Sequence, residues 1–115
     1  MRKAEIKRKT KETSIELNIN LDGTGKSSVS TPFGMLTHMM EQISKHALID
    51  INLKVSGDTE TGSHHVVEDT AIVLGEAFDK ALGDRSGIER MADSTVPLDE
   101  SLSMVAIDLA GRGYH

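Results

Sequence analysis

Two segments of the chain alternate strictly between apolar and polar residues, and this alternation constrains the fold more than any other feature. The first segment reads Thr-Ser-Ile-Glu-Leu-Asn-Ile-Asn at 13–20, and the second runs from 49 to 56. A period of two places successive side chains on opposite faces, so each segment predicts a strand with one buried and one solvated face. A similar alternation at 103–110 predicts another strand. The chain must therefore build a sheet, and something must cover one face of it.

Two longer segments have a helical period instead. The segment 34–47 and the segment from about 64 to 82 place apolar residues three or four positions apart, which predicts amphipathic helices. The predicted buried stripe of the first helix consists of Leu36, Met39, Met40, Ile43 and Ala47. The predicted apolar face of the second consists of Ala71, Leu74, Phe78 and Leu82, widened by Val67, Ala77 and Ala81, with Ser63 as N-cap.

A strand-turn segment near the start of the chain has a counterpart near its end. Residues 17–25 align without gaps on residues 105–113, and Glu12 falls opposite Glu100 at the same offset. Such self-similarity indicates an internal repeat. We therefore predict a first α/β repeat at 1–86 and the opening strands of a second, truncated repeat at 87–115.

The composition excludes several kinds of site. The chain contains no cysteine, so disulfides, thiolate metal sites and cysteine nucleophiles are excluded, and any metal must be bound by histidine and carboxylate. No segment approaches the roughly 20 apolar residues of a membrane span. No apolar run follows the N-terminal charges, as it would in a signal peptide. We expect a cytoplasmic protein with no membrane partner.

Six basic residues crowd the first eleven positions, although the net charge of the whole chain is -5. An edge strand that carries lysines to discourage unwanted pairing is one explanation. A small α/β domain that contacts nucleic acid through this patch is the other. Because a general nucleic-acid binder is usually basic, we predict no nucleic-acid partner.

The histidines form the chemistry-bearing pattern, since four of the five fall in the two predicted helices. His64 and Glu68 are four positions apart on a helix and point the same way, while His65 lies on the flank of that face. Adjacent helical side chains diverge by about 100°, so the two imidazoles can serve two metal ions, or one ion and a neighbouring subunit. Imidazole and carboxylate without thiolate favour Mn or Fe. Capping or solvation is the structural alternative for such a pair.

With its neighbours, this motif resembles the imidazoleglycerol-phosphate dehydratase family of histidine biosynthesis. The resemblance covers nearly the whole chain in order, at 10–13, 21–25, 38–40, 45–46, 57–58, 64–70, 74–75, 81–84, 87–90, 96–100 and 105–112. It implies an α+β fold, a two-layer sandwich with two helices packed on one face of the sheet, as in the ribosomal protein S5 domain 2-like half-repeat. It also implies a homo-oligomer built from trimers, with 24 subunits for the full-length family.

The resemblance assigns roles to individual residues. The implied metal ligands, for two Mn²⁺ ions per complete site, are His38, His64, His65 and Glu68, with further ligands from a second His-His-x-x-Glu motif beyond position 115. The same four residues, together with Glu12, His46, Arg90 and Arg112, match positions that contact the substrate. Glu12 and His65 are the implied catalytic residues.

The implied reaction removes water from imidazole glycerol phosphate and yields imidazole acetol phosphate. The proton to be lost is poorly acidic because no carbonyl is adjacent to its carbon, so the imidazole ring must store the electrons. Metal ions on the ring nitrogens would favour that by Lewis-acid catalysis. Glu12 would move the proton, and Arg90 and Arg112 would bind the phosphate through two parallel hydrogen bonds each.

The chain departs from the family pattern at three places. Thr37 and the Gly62-Ser63 pair stand where the family usually has aspartates before the ligand histidines, and 31–33 replaces a small Thr-Gly stretch. Such neighbours often orient a ligand or tune its affinity. A second hypothesis therefore stays open, a non-catalytic half-length fragment that binds metal or forms oligomers.

Overall fold

The computed structural model describes residues 1–113 and contains six strands and two helices within that range. In chain order they are β1 (Lys3–Lys9), β2 (Thr13–Asn20), β3 (Ser27–Ser30), α1 (Gly34–Ala47), β4 (Asp50–Gly57), α2 (His64–Leu82), β5 (Met91–Leu98) and β6 (Ser101–Asp108). Contacts divide the chain into two compact units, Met1–Asp84 and a second unit that begins at Arg85. No described helix combines the length and the apolar character that a membrane crossing requires.

The first unit contains a four-stranded sheet in the order β1-β2-β4-β3. Strands β1, β2 and β4 are antiparallel neighbours, whereas β3 lies parallel to β4. The basic N-terminal segment forms the edge strand β1, as the lysine pattern predicts. Three of its cations are paired with carboxylates, in the pairs Arg2–Asp22, Lys7–Glu5 and Arg8–Asp69.

Both helices cover one face of this sheet. Helix α2 packs on β1, β2 and β4, and helix α1 packs on β3 and β4. The inward residues of the strands and helices form one buried core, which includes Ile15, Leu17, Ile51, Leu53, Val66 and Val73. Alternate residues of β2 and β4 are buried, so the period-two pattern is confirmed. The α+β two-layer arrangement is confirmed with it.

The buried face of α2 differs from the prediction. Val66, Thr70 and Val73 are buried, with Ala77 and Ala81, whereas Ala71 is exposed and Val67 is partly exposed. Leu74 and Phe78 pack at the margin of the core. The error has a physical cause, because the Thr70 hydroxyl donates a 2.7 Å hydrogen bond to the Val66 carbonyl and so enters the core satisfied.

Helix α1 also presents a narrower buried face than the predicted stripe. Met40 and Ser44 are buried, and Leu36 and Ile43 are half-buried. Met39 is 53% exposed, and Ala47 is exposed as well. Ser44 fits the core because its hydroxyl donates to the Ile49 carbonyl at 2.7 Å. At the start of α2, Ser63 occupies the N-cap position, but its side chain makes no capping hydrogen bond, so that part of the prediction is wrong.

Leu48 ends α1 in a conformation that suits glycine. Its φ is 56°, and its backbone N–H donates to the Ser44 carbonyl, as in a left-handed helix cap. A side chain in this conformation costs roughly 1–2 kcal/mol, and the Leu48 side chain is exposed.

We expect Leu48→Gly to raise the free energy of unfolding by about 1 kcal/mol, measured by urea denaturation. An equal or lower value in the variant would show that the exposed leucine makes a compensating contact.

The loop that joins β2 to β3 wraps around the start of β4. The Asp50 carboxylate accepts hydrogen bonds from the backbone N–H groups of Thr24 and Lys26, both at 2.9 Å. These bonds stabilise the charged form and lower the pKa of Asp50. Gly23 is required beside it, because a Cβ there would lie 2.5 Å from Asp50 atoms. The predicted turn at 22–25 is therefore tied to the sheet.

The second unit contains the antiparallel hairpin of β5 and β6. It reproduces the β1–β2 hairpin in register, because the pair Lys3↔Asn20 corresponds to Met91↔Asp108. From Lys3 to Met91 is a step of 88 residues, and so is the step from Thr13 to Ser101. The Leu21 N–H donates to the Arg2 carbonyl, and the Leu109 N–H donates to the Arg90 carbonyl after the same step. The pairing geometry thus repeats along with the sequence similarity.

Candidate functional site

Four chain segments meet at one edge of the four-stranded sheet. Because β3 and β4 are parallel, they end at the same edge, and the helices that follow them start there. Strand β2 runs antiparallel to β4 and therefore begins at this edge, with Thr13 opposite Gly57. We call this end of the strands the helix-start edge. It comprises residues 10–13, 57–58, the first turns of α1 and the first turns of α2. Most of the predicted site residues of the first unit lie on it.

Glu12 and His65 flank the same residue, Asp58. The Asp58 N–H donates to the Glu12 carbonyl at 2.7 Å, which fixes the turn between β1 and β2 against the end of β4. The Asp58 carboxylate lies 3.9 Å from Nδ1 of His65, just beyond hydrogen-bond distance. This Nδ1 is buried and has no hydrogen-bond partner among the described residues. The fold therefore brings the two predicted catalytic residues to one edge, with the Glu12 side chain exposed.

His64 and Glu68 form an exposed pair on the first two turns of α2. Nε2 of His64 lies 3.0 Å from Oε2 of Glu68, as their spacing of four residues predicts. The imidazoles of His64 and His65 lie 5.5 Å apart between centroids, with their planes at 66°. The two rings therefore face different directions, and His64 points into solvent, with 74% of its side chain exposed.

The two histidines of α1 lie at opposite ends of the helix. His38 is exposed on the second turn, which belongs to the helix-start edge. His46 is in the last turn, where its Nε2 lies 3.0 Å from Oε1 of Gln42. The carbonyls of Ser44 and Lys45 lie close to Gly25, in the loop at the other edge of the sheet. Within the first unit, His46 is therefore separated from the other predicted site residues.

The two predicted phosphate ligands belong to the second unit. Nε and Nη2 of Arg90 donate to the two carboxylate oxygens of Asp108, at 2.6 and 3.0 Å. The hydrogen bonds from Arg90 lower the pKa of Asp108 and raise that of Arg90. Arg112 is exposed after β6 and lowers the pKa of Asp108 through its charge. Two of the hydrogen-bond donors of Arg90 are therefore occupied by Asp108. Arg112 is exposed on the surface after β6.

A metal site is only partly assembled in the described range. The donor groups fit a divalent ion of intermediate softness, since they are imidazoles and a carboxylate. His64 and Glu68 present adjacent donor atoms, and the Asp58 carboxylate lies where it could orient His65, as carboxylates often do for metal-binding histidines. However, no group of three or more histidine, aspartate or glutamate side chains converges within residues 1–113. Additional donors must come from elsewhere to complete a site.

Two of the departures from the family pattern contact each other. The Thr37 hydroxyl lies 2.8 Å from Oγ1 of Thr31. Oγ1 of Thr31 also lies 2.8 Å from the carbonyl of Phe33, to which it donates. The Thr37 hydroxyl must then donate to Thr31. Thr37 therefore links the first turn of α1 to the segment before the helix, and it leaves no carboxylate immediately before His38.

Asp58 is a neighbour of the site to which the sequence analysis assigns no role, although 57–58 is among the segments that resemble the family. A lone aspartate after a strand in a loop has no periodicity to mark it. Its signal is the close approach at Gly57, where an added Cβ would lie 2.8 Å from the Glu12 carbonyl. Only glycine permits this approach, which brings 12 and 58 into hydrogen-bond contact.

Sequence comparison identifies relatives of the chain. The profile of the family described as imidazoleglycerol-phosphate dehydratase matches residues 31–115. A protein named imidazoleglycerol-phosphate dehydratase from Bifidobacterium animalis subsp. lactis (strain AD011) is 55% identical over 113 residues, which are 98% of this chain. A protein of the same name from Dehalococcoides mccartyi (strain CBDB1) is also 55% identical over 98% of the chain. The chain spans 56% of the length of each of these relatives.

A structural comparison agrees with the sequence. The crystal structure of imidazoleglycerol-phosphate dehydratase from Staphylococcus aureus subsp. aureus N315 superposes with a TM-score of 0.83 and 28% identity. The superposition covers 97% of this chain and 60% of that one. The similarity therefore extends over nearly all of this chain but over little more than half of its relatives.

Proposed function

Because the chain belongs to the imidazoleglycerol-phosphate dehydratase family, we propose that it takes part in dehydrating imidazole glycerol phosphate to imidazole acetol phosphate in histidine biosynthesis. The observation that carries the proposal is the helix-start edge. There, Glu12 and His65 flank Asp58, and His64 and Glu68 follow on α2. An exposed carboxylate at the same end of the sheet as several imidazoles provides groups that can transfer a proton to and from a bound substrate.

Glu12 acts as the general acid–base in this proposal. The reaction breaks a C–H bond on one substrate carbon and the C–O bond on the carbon next to the ring, and the enol that results becomes the ketone. Glu12 accepts the proton from the first carbon and returns it to the carbon beside the ring. The O–H proton that the enol loses as it becomes the ketone balances the proton that the leaving hydroxide takes up to form water. Its side chain is exposed while its backbone is held by Asp58, so the carboxylate can reach a bound substrate from a fixed position.

Manganese is the proposed cofactor, with two ions in a complete site. The residues of this chain that would hold it are His38, His64, His65 and Glu68. When bound, manganese would supply Lewis-acid stabilisation of charge on the imidazole ring of the substrate. Within this chain, the Asp58 carboxylate lies 3.9 Å from Nδ1 of His65, and it would orient that imidazole if it approached to hydrogen-bond distance.

Arg112 and Arg90 are proposed to bind the substrate phosphate. Arg112 is exposed and next to two glycines, which leaves its guanidinium accessible. Arg90 is held by Asp108, so a phosphate must share Arg90 with that carboxylate or displace it. His46 is proposed to contact the substrate from another subunit, because it lies away from the helix-start edge within its own unit.

The proposal includes a site shared between repeats or subunits. The register match between the two hairpins supports interpreting the second unit as the opening of a second repeat. A homo-oligomer built from trimers, located in the cytoplasm, would bring several helix-start edges together. This would supply the donors that the described residues do not gather.

A second candidate function is favoured by that same lack of convergence. A half-length module could bind metal or form oligomers without turnover, because no three donors meet in the described range. The chain also spans only 56% of the relatives it matches. This candidate predicts metal binding by the chain with no product formed.

Turnover by the purified chain tests the two candidates. The chain is loaded with Mn²⁺, its oligomeric state is measured by light scattering, and imidazole glycerol phosphate is added while product is followed by ¹H NMR. The dehydratase proposal expects imidazole acetol phosphate that disappears in Glu12→Gln at unchanged metal content. Metal binding without product at any chain concentration would reject it in favour of the half-length module.

A further inference from the structure

A partly buried hydrogen-bonded network connects α2 to the turn that carries Glu12. The carboxylate of Asp69 accepts a hydrogen bond of 2.5 Å from the hydroxyl of Thr13, which is 3% exposed. The other carboxylate oxygen lies 3.6 Å from Nη2 of Arg8 on β1. Asp69 therefore joins the helix that presents Glu68 to both strands of the first hairpin.

The direction of each hydroxyl bond in this network is determined. A carboxylate only accepts, so Thr13 must donate its proton to Asp69. The Thr13 oxygen, 3.1 Å from Oγ1 of Thr10, must then accept from Thr10. The Thr10 oxygen is left to accept from the backbone N–H groups of Glu12 and Thr13, at 3.1 and 3.0 Å. The chain of bonds thus runs from the Glu12 backbone to the Asp69 carboxylate.

The Glu12 backbone is consequently held from both sides. Its N–H donates into the threonine network, and its carbonyl accepts from the Asp58 N–H. Between these bonds, Gly57 allows the turn to lie against the sheet. The Glu12 side chain remains exposed. This network therefore restricts the backbone of Glu12 and leaves its side-chain carboxylate free to move.

We propose that Asp69 is a positioning residue, which acts through Thr13 and Thr10 to hold the backbone of Glu12 at the helix-start edge. The inference rests on the proposed function for the role of Glu12, but the contacts that carry it do not. Because Asp69 follows Glu68 on the helix, one turn of α2 presents a predicted metal ligand and anchors the acid–base residue. The distance between these two groups is then set by the packing of α2 on the sheet.

Thr13 offers a matched pair of variants that tests the positioning. Thr13→Val keeps the volume and removes the hydroxyl, whereas Thr13→Ser keeps the hydroxyl. We expect amide hydrogen exchange at Glu12 and Thr13 to rise roughly tenfold in Thr13→Val and to stay near the parent in Thr13→Ser. Asp69→Ala should give the same local increase, and the double variant should add little to it, since both changes break one network.

Amide hydrogen exchange in β4 shows whether each variant keeps its fold. Glu76→Gln is the control for Asp69→Ala, because it removes an exposed carboxylate elsewhere on α2. With Mn²⁺ and substrate, we expect kcat of Thr13→Val to fall roughly tenfold at unchanged KM and metal content. Unchanged exchange at 12 and 13 would overturn the positioning role, as would raised exchange with unchanged kcat. If the parent chain gives no product, the proposed function fails for this chain, and the exchange data alone decide whether Asp69 holds the turn.

Discussion

The double variant His64→Ala, His65→Ala is expected to bind Mn²⁺ at least roughly 100-fold more weakly than the parent chain. Loss of an outer-shell partner alone typically costs 10–100-fold in metal affinity, so loss of two direct ligands costs no less. Only Glu68 and His38 would remain among the predicted ligands of this chain. Free Mn²⁺ measured by electron paramagnetic resonance gives the affinity directly, without any assay of turnover.

The variant should keep its fold, which makes the measurement interpretable. The side chain of His64 is 74% exposed, and Nδ1 of His65 has no hydrogen-bond partner in the described range, so neither removal breaks an intramolecular hydrogen bond of the core. His46→Ala is the matched control because it removes an imidazole at the far end of α1. Equal Mn²⁺ affinity in the double variant and the control would exclude the pair as ligands.

The strands were predictable because their signal is local. In β2 and β4 the apolar residues lie on the buried face and most of the polar residues on the other, so residue type predicts the face. The register between the strands keeps this alternation, with Leu17 opposite Leu53. The edge position of β1 was predictable for a similar reason, since a lysine-rich strand is typical of a sheet edge and β1 lies at one end of the strand order. The pairing of β5 with β6 follows from the repeat.

The helix faces were less predictable because hydrophobicity alone does not decide which side of a helix is buried. Thr70 reads as polar, yet it is buried and bonded to the Val66 carbonyl. Choosing Ala71 in its place rotates the inferred buried face by one residue, or about 100°. The prediction that His64 and Glu68 share a face holds despite this error, since it depends only on their spacing.

The contacts that position Glu12 were outside the reach of sequence reasoning. Thr13 and Asp69 are 56 residues apart, and no pattern in the chain links them. Their contact depends on how α2 packs across β2, which in turn depends on the buried residues that were misassigned. Convergence of the metal ligands was not predictable either, because spacing within one helix relates only pairs such as His64 and Glu68, and no group of three or more such donors meets within residues 1–113.

Leu17→Ala is expected to lower the free energy of unfolding by about 3 kcal/mol, within the roughly 2–5 kcal/mol typical of buried leucines. Leu17 is 0% exposed on a central strand, between Ile6 on β1 and Leu53 on β4. Its removal leaves a cavity beneath α2 that rigid neighbouring strands cannot close. Since domains are stable by about 5–15 kcal/mol, this loss is a large share of the total. Urea denaturation followed by circular dichroism measures it.

Leu48→Ala is the matched control, because it makes the same chemical change at a side chain that is 61% exposed. We expect its unfolding free energy to change by less than about 0.5 kcal/mol, since surface substitutions rarely do more. A small effect at both positions would mean that the sheet and α2 do not enclose a packed core at Leu17. In that case the packing of α2 could not hold Glu12 at a fixed distance from Glu68, because the same contacts that bury Leu17 bring Asp69 to Thr13.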